Sequence, residues 1–383
     1  GRGDVPQRTV WPIVVVIILP LGGELPRCRQ TLELFQCQEL VAQSTVEALD
    51  VTVFPRAAWL DVERLNADLT KPLPQRTSDE LGAVVAANAP RHAPHRQKFG
   101  ERIDHVLARV ALPAVRGREQ SRRPGDIVAE VTRLAADGVR EVTLLGQNVN
   151  SWGRDLVPEV RTEFGELLRG VDAVPGIERI RFTSPHPKDF REPVIAAMAE
   201  CRSVCEHAHL PLQSGSSAVL KRMRRTYDRE RYLRLVERLR AAIPDLALGT
   251  DIIVGFPGET DEDFAHTLEV VQEVRYDSAF TFIFSPRSGT EAATMQDQVP
   301  DEVKHERLEQ LVDVVQRIAA ERNAARVGSV EEVLVEGASR TDATLLRGRT
   351  RGNVMVNFAG SAEAGELVDV EIESATSTTL RGA

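Results

Sequence analysis

Leu246-Ala-Leu-Gly-Thr-Asp-Ile-Ile-Val-Gly-Phe-Pro-Gly-Glu-Thr260 is the stretch whose reading decides the fold. Its first nine residues, Leu246 to Val254, form a short apolar run of strand length. Two glycines around Pro257 then break it, and Thr260 precedes the acidic triplet Asp261-Glu262-Asp263. A hydroxyl at a helix start satisfies free backbone N–H groups, and acidic residues in the first turn suit the helix dipole. The stretch therefore predicts a strand, a tight turn and a capped helix, which is half of a βα repeat.

The same unit recurs outward in both directions. Upstream, Pro124 opens a predicted helix with Ile127, Val131, Leu134 and Ala135 on one face and Gly138 as its stop, followed by the strand Glu141 to Gly146. A helix around Phe164 to Val171, the strand Ile177 to Ser184, a helix near Pro193 to Glu200 and the strand His207 to Leu212 continue the cycle, then helices around Ala218 to Arg224 and Arg229 to Ala242. Downstream come the strand Ser278 to Phe284 and a charged helix over about Asp301 to Ala325. Such alternation predicts an α/β fold, a partial (β/α) barrel of the TIM-like kind. From Val327 the character changes: VEEVLVEG, TLLRGRT, NVMVNF and LVDVEIES are β-rich segments between Gly, Asn and Ser turns, which predicts a small all-β barrel of OB-like type. Residues 1 to about 100 show no sustained period and yield no domain assignment.

Across the 383 residues, 42% hydrophobic and 27% charged content is that of an ordinary globular chain, and a formal net charge of -9 excludes a globally basic nucleic-acid binder. Contact with RNA must then come from local arginine clusters, of which there are three: Arg116/Arg118/Arg122/Arg123, Arg222/Arg224/Arg225 and Arg347/Arg349/Arg351. Taken singly, each cluster reads equally well as solvated surface. Four cysteines, Cys28, Cys37, Cys201 and Cys205, are too few for a disulfide framework, so a cytoplasmic protein is expected. The apolar run Val10 to Leu21 is interrupted by Pro12 and Pro20 and falls short of the roughly 20 residues that span a bilayer, so no membrane partner is expected; it reads as a buried strand or a signal-peptide core.

Reactive groups of parallel βα barrels gather at the carboxyl ends of the strands. Five such ends here are polar and glycine-rich: Gly146-Gln147-Asn148-Val149-Asn150, Thr183 to Pro187, Pro211 to Ser216, Gly255 to Glu259 and Ser285 to Thr290. Five on one barrel face predict a binding site.

RGREQSR, EVTLLGQNVNSWG, IERIRFTSPHPKDF, CEHAHLPLQSGS, TDIIVGFPGET and DSAFTFIFSPRSGT occur in an order that resembles the radical-SAM methylthiotransferases, most closely the tRNA-modifying branch. The resemblance is nearly continuous from about Arg116, and the β-rich tail resembles that family's RNA-binding TRAM domain. It implies three regions: 1–112, in the position of the family's N-terminal domain but degenerate; 113–325, the radical-SAM barrel; and 326–383, the TRAM-like barrel. It implies S-adenosylmethionine (SAM) across the barrel mouth, with Gln147, Asn148, Ser184, Gln213, Gly255, Pro257, Gly258, Glu259 and Arg287 lining its pocket. It implies a tRNA partner with Arg116, Arg118, Arg347, Arg349 and Arg351 on the RNA, an unidentified sulfur donor and a monomer. The implied activity adds a methylthio group to an N6-modified adenosine near the anticodon. A ribosomal-protein methylthiotransferase is a lesser alternative, because QNVNSWG, FTSPHP and HLPLQSGS are worded as in the tRNA branch. A nucleotide hydrolase suggested by GFPGET fails, since no Gly-Lys-Ser/Thr follows the glycines.

The family also implies two [4Fe–4S] clusters, one held by CxxxCxxC just before Pro113-Ala-Val-Arg-Gly-Arg-Glu119. The three positions are Ile103, Leu107 and Val110, none of which ligates iron. For the second cluster only Cys37, in Cys37-Gln38-Glu39-Leu40, has a counterpart. Cys201 and Cys205 are read as structural thiols. The chain as written is therefore expected to bind no cluster and to be catalytically silent, a relative that keeps RNA or SAM binding. The one-sided loss of resemblance suggests a shifted reading frame or a gene fusion ahead of the barrel.

Overall fold

The computed structural model describes residues 14–17, 121–146, 148–287, 290–340 and 342–383. Cys28, Cys37, Ile103, Leu107, Val110, Arg116, Arg118 and Gln147 lie outside the described residues.

The first described strand, β1 (Val14–Ile17), comes from the apolar run near the start and pairs antiparallel with β2 (Glu141–Leu145). Between them in sequence lies α1 (Pro124–Ala136), which buries Ile127 and Val131. The cycle continues with α2 (Phe164–Asp172), β3 (Arg179–Phe182), α3 (Glu192–Glu200) and β4 (His207–His209). It is followed by α4 (Ser217–Arg222), α5 (Arg229–Ala242), β5 (Ala247–Val254), α6 (Asp261–Val274), β6 (Ser278–Ile283), α7 (Glu291–Thr294) and α8 (Asp301–Ala324). β2 and β3 pair in parallel, as do β4, β5 and β6, and a bridge between Ile180 and Val204 links the two sheets. The expected parallel barrel is thus present in partial form.

Sequence pattern explains the elements. α2 buries Phe164, Leu167, Leu168 and Val171, a spacing that places all four on one helical face. Thr260 and Asp263 form a reciprocal capping box at the start of α6, as the quoted stretch predicted a capped helix there. β4 is shorter than the six residues expected. Pro211 has no N–H to give, and Leu212 donates to the Thr250 hydroxyl at 3.0 Å instead of to a strand carbonyl.

The strands are two-sided. On β5, Leu248, Thr250, Ile252 and Val254 are fully buried, and the three apolar ones join the core that α5 and α6 cover. The opposite side of β5, with Gly249 and Asp251, belongs to the barrel's inner face.

The tail is a closed five-stranded barrel in the order β10–β11–β9–β8–β7, made of β7 (Val330–Ala338), β8 (Leu346–Thr350), β9 (Met355–Phe358), β10 (Leu367–Ala375) and β11 (Thr379–Gly382). Val333, Val335, Val356, Phe358, Val370, Ile372 and Leu380 fill it.

Tail and first barrel are clamped together by charge. Arg179 of β3 is fully buried; its guanidinium donates to the Glu332 carboxylate at 2.9 Å, to the Glu332 carbonyl at 2.7 Å and to the Arg349 carbonyl at 2.7 Å. Arg181 donates to the carbonyls of Thr350 (2.8 Å) and Arg351 (2.9 Å) and pairs with Glu141 at 3.1 Å. Arg351 reaches back to the Glu206 carboxylate at 2.7 and 2.8 Å and to the Val204 carbonyl at 2.9 Å. The turn after β8 thereby closes the amino end of the first barrel.

Candidate functional site

Three successive strand ends carry non-glycine residues in the left-handed region: Asn148 after β2 (φ 64°), Ser184 after β3 (φ 56°) and Gln213 after β4 (φ 67°). Each costs on the order of 1 kcal/mol against an extended backbone, and such strain persists where the surroundings over-determine it. Here they do. Val149 N–H donates to the Ser184 carbonyl at 3.3 Å, tying the first two loops together. The Asn150 side chain exchanges two hydrogen bonds with the His186 backbone, at 2.8 and 3.0 Å. Gln213 donates to the Asp251 carbonyl at 2.8 Å and accepts from Ile253 N–H at 2.9 Å.

The side chains are braced as well. Asn148 donates to Asp189 at 2.9 Å, whose other oxygen holds Arg154 at 2.5 Å. Burial works to raise the Asp189 carboxyl, but these hydrogen bonds and the arginine charge outweigh it and hold the group below its ordinary range. The Asn148 Oδ1 is buried without a hydrogen-bond partner, an acceptor still to be satisfied at the mouth. Gln213 accepts from Arg225 at 2.8 Å.

The Gly255-to-Glu259 turn follows β5. Gly255 and Gly258 take φ of 74° and 77°, which a side chain would resist. Gly258 N–H donates to the Asp297 carbonyl at 2.8 Å, and the Pro257 carbonyl accepts from Arg222 at 3.0 Å. Beside the turn lies a cavity of about 350 Å³, lined by Arg222, Arg225, Ile253, Phe256, Phe284 and Met295 among others. Asn148, Ser184, Gln213, Gly255, Pro257 and Gly258 therefore stand at the carboxyl ends of neighbouring strands, and Arg287 follows β6 half-buried.

Glu259 is braced from within its own loop and from α8. Its carboxylate turns back under the loop, accepting from Gly255 N–H at 2.7 Å and from Arg307 of α8 at 2.9 Å. Burial raises its carboxyl even so. One oxygen, Oε2, is taken up by the loop and by Arg307, while the other, Oε1, is buried without a hydrogen-bond partner. The Arg351 guanidinium is spent on Glu206 and backbone carbonyls at the junction. Of the tail arginines, Arg347 and Arg349 flank Glu336, at 3.6 and 2.7 Å.

Among the described residues no group of three or more His, Cys, Asp or Glu side chains is placed to hold a metal ion. Cys201 and Cys205 are buried free thiols; burial pushes the Cys201 thiol up to about 11 and raises Cys205 as well. Protonated, buried thiols are poor iron ligands, so the described residues do not fit a cluster. The mouth does fit SAM: an unsatisfied acceptor, strained polar side chains and glycines that let backbone come close.

The inner face holds residues that sequence reasoning passed over. His209 of β4 meets Asp251 of β5 through Nε2 at 3.1 Å, and its ring lies 5.9 Å from that of Phe280 on β6. The signal was present: polar residues two apart in His207-Ala208-His209, and one acid inside the otherwise apolar Asp251-Ile252-Ile253-Val254. Burial drives His207 down to about 3, so that histidine stays neutral.

Comparison with known proteins matches residues 99–271 to the radical SAM superfamily and residues 324–383 to the TRAM domain. The chain is 54% identical over 272 residues to tRNA-2-methylthio-N(6)-dimethylallyladenosine synthase of Clostridium botulinum, covering 71% of this chain and 60% of that one. The like-named protein of Acetivibrio thermocellus is 53% identical over 272 residues, 71% of this chain and 56% of that one. The chain thus spans about 60% of the length of the first of these relatives. Among solved structures, Streptococcus suis SuiB bound to precursor peptide SuiA superposes with a TM-score of 0.36 at 12% identity, over 75% of this chain and 60% of that one, too loose a likeness to carry an argument.

Proposed function

We propose, from the radical SAM match over residues 99–271, the TRAM match over residues 324–383 and the 54% identity to the Clostridium botulinum protein, that the chain is a member of the radical-SAM methylthiotransferase family whose barrel binds SAM across the mouth while its tail holds tRNA. The proposed reaction class is the addition of a methylthio group to an N6-modified adenosine near the anticodon, in the cytoplasm. The observation that carries the SAM assignment is the row of left-handed Asn148, Ser184 and Gln213 on three neighbouring strand ends. Asn148 Oδ1 and the backbone of the Gly255–Gly258 turn are the groups offered to SAM's polar ends. Arg347 and Arg349 are the tail's candidates for phosphate.

When bound, a [4Fe–4S] cluster would supply the electron that cleaves SAM. Ile103, Leu107 and Val110 stand where its thiolates belong, so no radical step is derived for this chain, and the proposal is a scaffold that binds without turnover. The test is anaerobic reconstitution of the full chain with iron and sulfide, followed by visible absorbance, SAM binding by calorimetry and tRNA binding across a salt series. SAM and salt-sensitive tRNA binding without an iron–sulfur chromophore is expected. A chromophore with SAM cleavage would overturn the silent reading, and failure to bind both ligands would overturn the whole assignment.

A further inference from the structure

The inner face of the first barrel carries an aromatic side chain where a packed barrel would bury one. Phe280 is 56% exposed, and its register partner across the sheet is Asp251, so both stand on the side away from the helices. His209 is aligned with Gly249 and completes the group. At Gly249 a Cβ would come within 3.1 Å of both His209 Nδ1 and Ser278 Oγ, so the absent side chain is what lets imidazole and hydroxyl face one shared space. The group adjoins the mouth, because the Asp251 carbonyl accepts from Gln213 N–H at 2.8 Å.

Charge narrows the occupant. Among the described residues, Arg179 and Arg181 of β3 are engaged by Glu141, Glu332 and the tail's carbonyls, and Arg225 is engaged by Gln213, so the polar groups this face itself offers are the imidazole, the carboxylate and the Ser278 hydroxyl. What remains is one flat apolar ring beside these hydrogen-bonding groups. That combination suits a planar, uncharged ring with polar edges, as when bases stack on aromatic side chains while their edges are hydrogen-bonded.

We propose that Phe280 and His209 receive the purine base of the RNA substrate, Phe280 by stacking and His209 at the base edge, with Asp251 as the positioning residue that fixes the imidazole through Nε2. The proposal rests on the reading of the mouth and tail as SAM and tRNA sites, and it names the surface that separates a bound RNA from a presented base.

The probe is a tRNA anticodon stem–loop with 2-aminopurine in place of the adenosine that follows the anticodon, added to the full chain with SAM. Stacking should quench its fluorescence on binding. Phe280→Ala is expected to abolish the quench and weaken binding about tenfold, and Phe280→Tyr to restore both. His209→Ala should weaken binding severalfold with SAM affinity unchanged, and Asp251→Asn should add little in the His209→Ala background, since it acts through that ring. Salt-sensitive binding without a quench, or a quench that survives Phe280→Ala, overturns this proposal while leaving the reading of mouth and tail intact. Absence of any RNA binding overturns both.

Discussion

Replacing Arg179 by methionine tests whether the two barrels are one stability unit. Methionine keeps much of the stem's volume and removes the guanidinium, so the loss is mainly polar. The native group serves the Glu332 carboxylate and two carbonyls, those of Glu332 and Arg349, at 2.7 to 2.9 Å. Glu332 is partly exposed and recovers water, whereas the carbonyls at the junction lose a charged donor, each worth about 1–3 kcal/mol. Glu141 keeps its pairing with Arg181 at 3.1 Å. The total cost is about 3–5 kcal/mol, the range for removing one partner of a buried charged network. A loss of that size lowers the Tm by about 6 to 20 °C if barrel and tail melt together. The assay is calorimetric unfolding alongside limited proteolysis of the segment between α8 and β7. A Tm within about 2 °C of the parent with unchanged cleavage would refute the clamp as a source of stability, and a shift confined to a second, separate transition would refute the single unit.

Three further outcomes are expected. His207 is held neutral down to about 3 against an ordinary 6.5, so the unfolded chain takes its proton first and stability falls as pH drops between those values; His207→Gln should flatten that part of a Tm-against-pH curve. Asp189 has the opposite character: its carboxyl is held below the ordinary 3.8, so its stabilisation is present above that value and lost as pH falls through the lowered one, and Asp189→Ala should both remove this acid-side loss and weaken SAM binding severalfold by freeing Asn148, read by calorimetry. Cys201 and Cys205, buried and kept protonated, should resist iodoacetamide in the native protein and react on unfolding, which peptide mass spectrometry resolves site by site.

Much of the first barrel was legible in the sequence because its helices and strands keep clean periods. Arg229–Ala242 begins and ends where the pattern placed it, and the turn at Gly255 to Glu259 was marked by its own glycines. What the pattern could not carry was the partner of each polar side chain. Glu259, expected at the ligand, is also paired with Arg307, a residue 48 positions away. Arg351 was assigned to RNA and is held by Glu206, 145 positions away. Local spacing holds no record of either pairing. The left-handed turns of Asn148, Ser184 and Gln213 were equally silent, since none is a glycine. His209 and Asp251 were overlooked for a different reason: a barrel's inner face tolerates polar residues, so their alternation reads as ordinary strand.

The clamp at Arg179 also sets an order of assembly. Its partners lie 153 and 170 residues later in the chain, and the barrel that presents them is closed by β11 (Thr379–Gly382), which fits between β9 and β10. At about 5–20 residues per second of synthesis, roughly 10 to 40 seconds separate the making of β3 from the making of the strand that completes its cover. Through that interval Arg179, Arg181 and Glu141 sit at an open end, and the nascent first barrel cannot bury them without penalty. The final strand is therefore a timing element: it decides when the earlier domain stops being an intermediate. Shortening the chain by those few residues opens the five-stranded tail between β9 and β10, and the expected result is a lower Tm for the first barrel, an effect felt some two hundred residues from the cut.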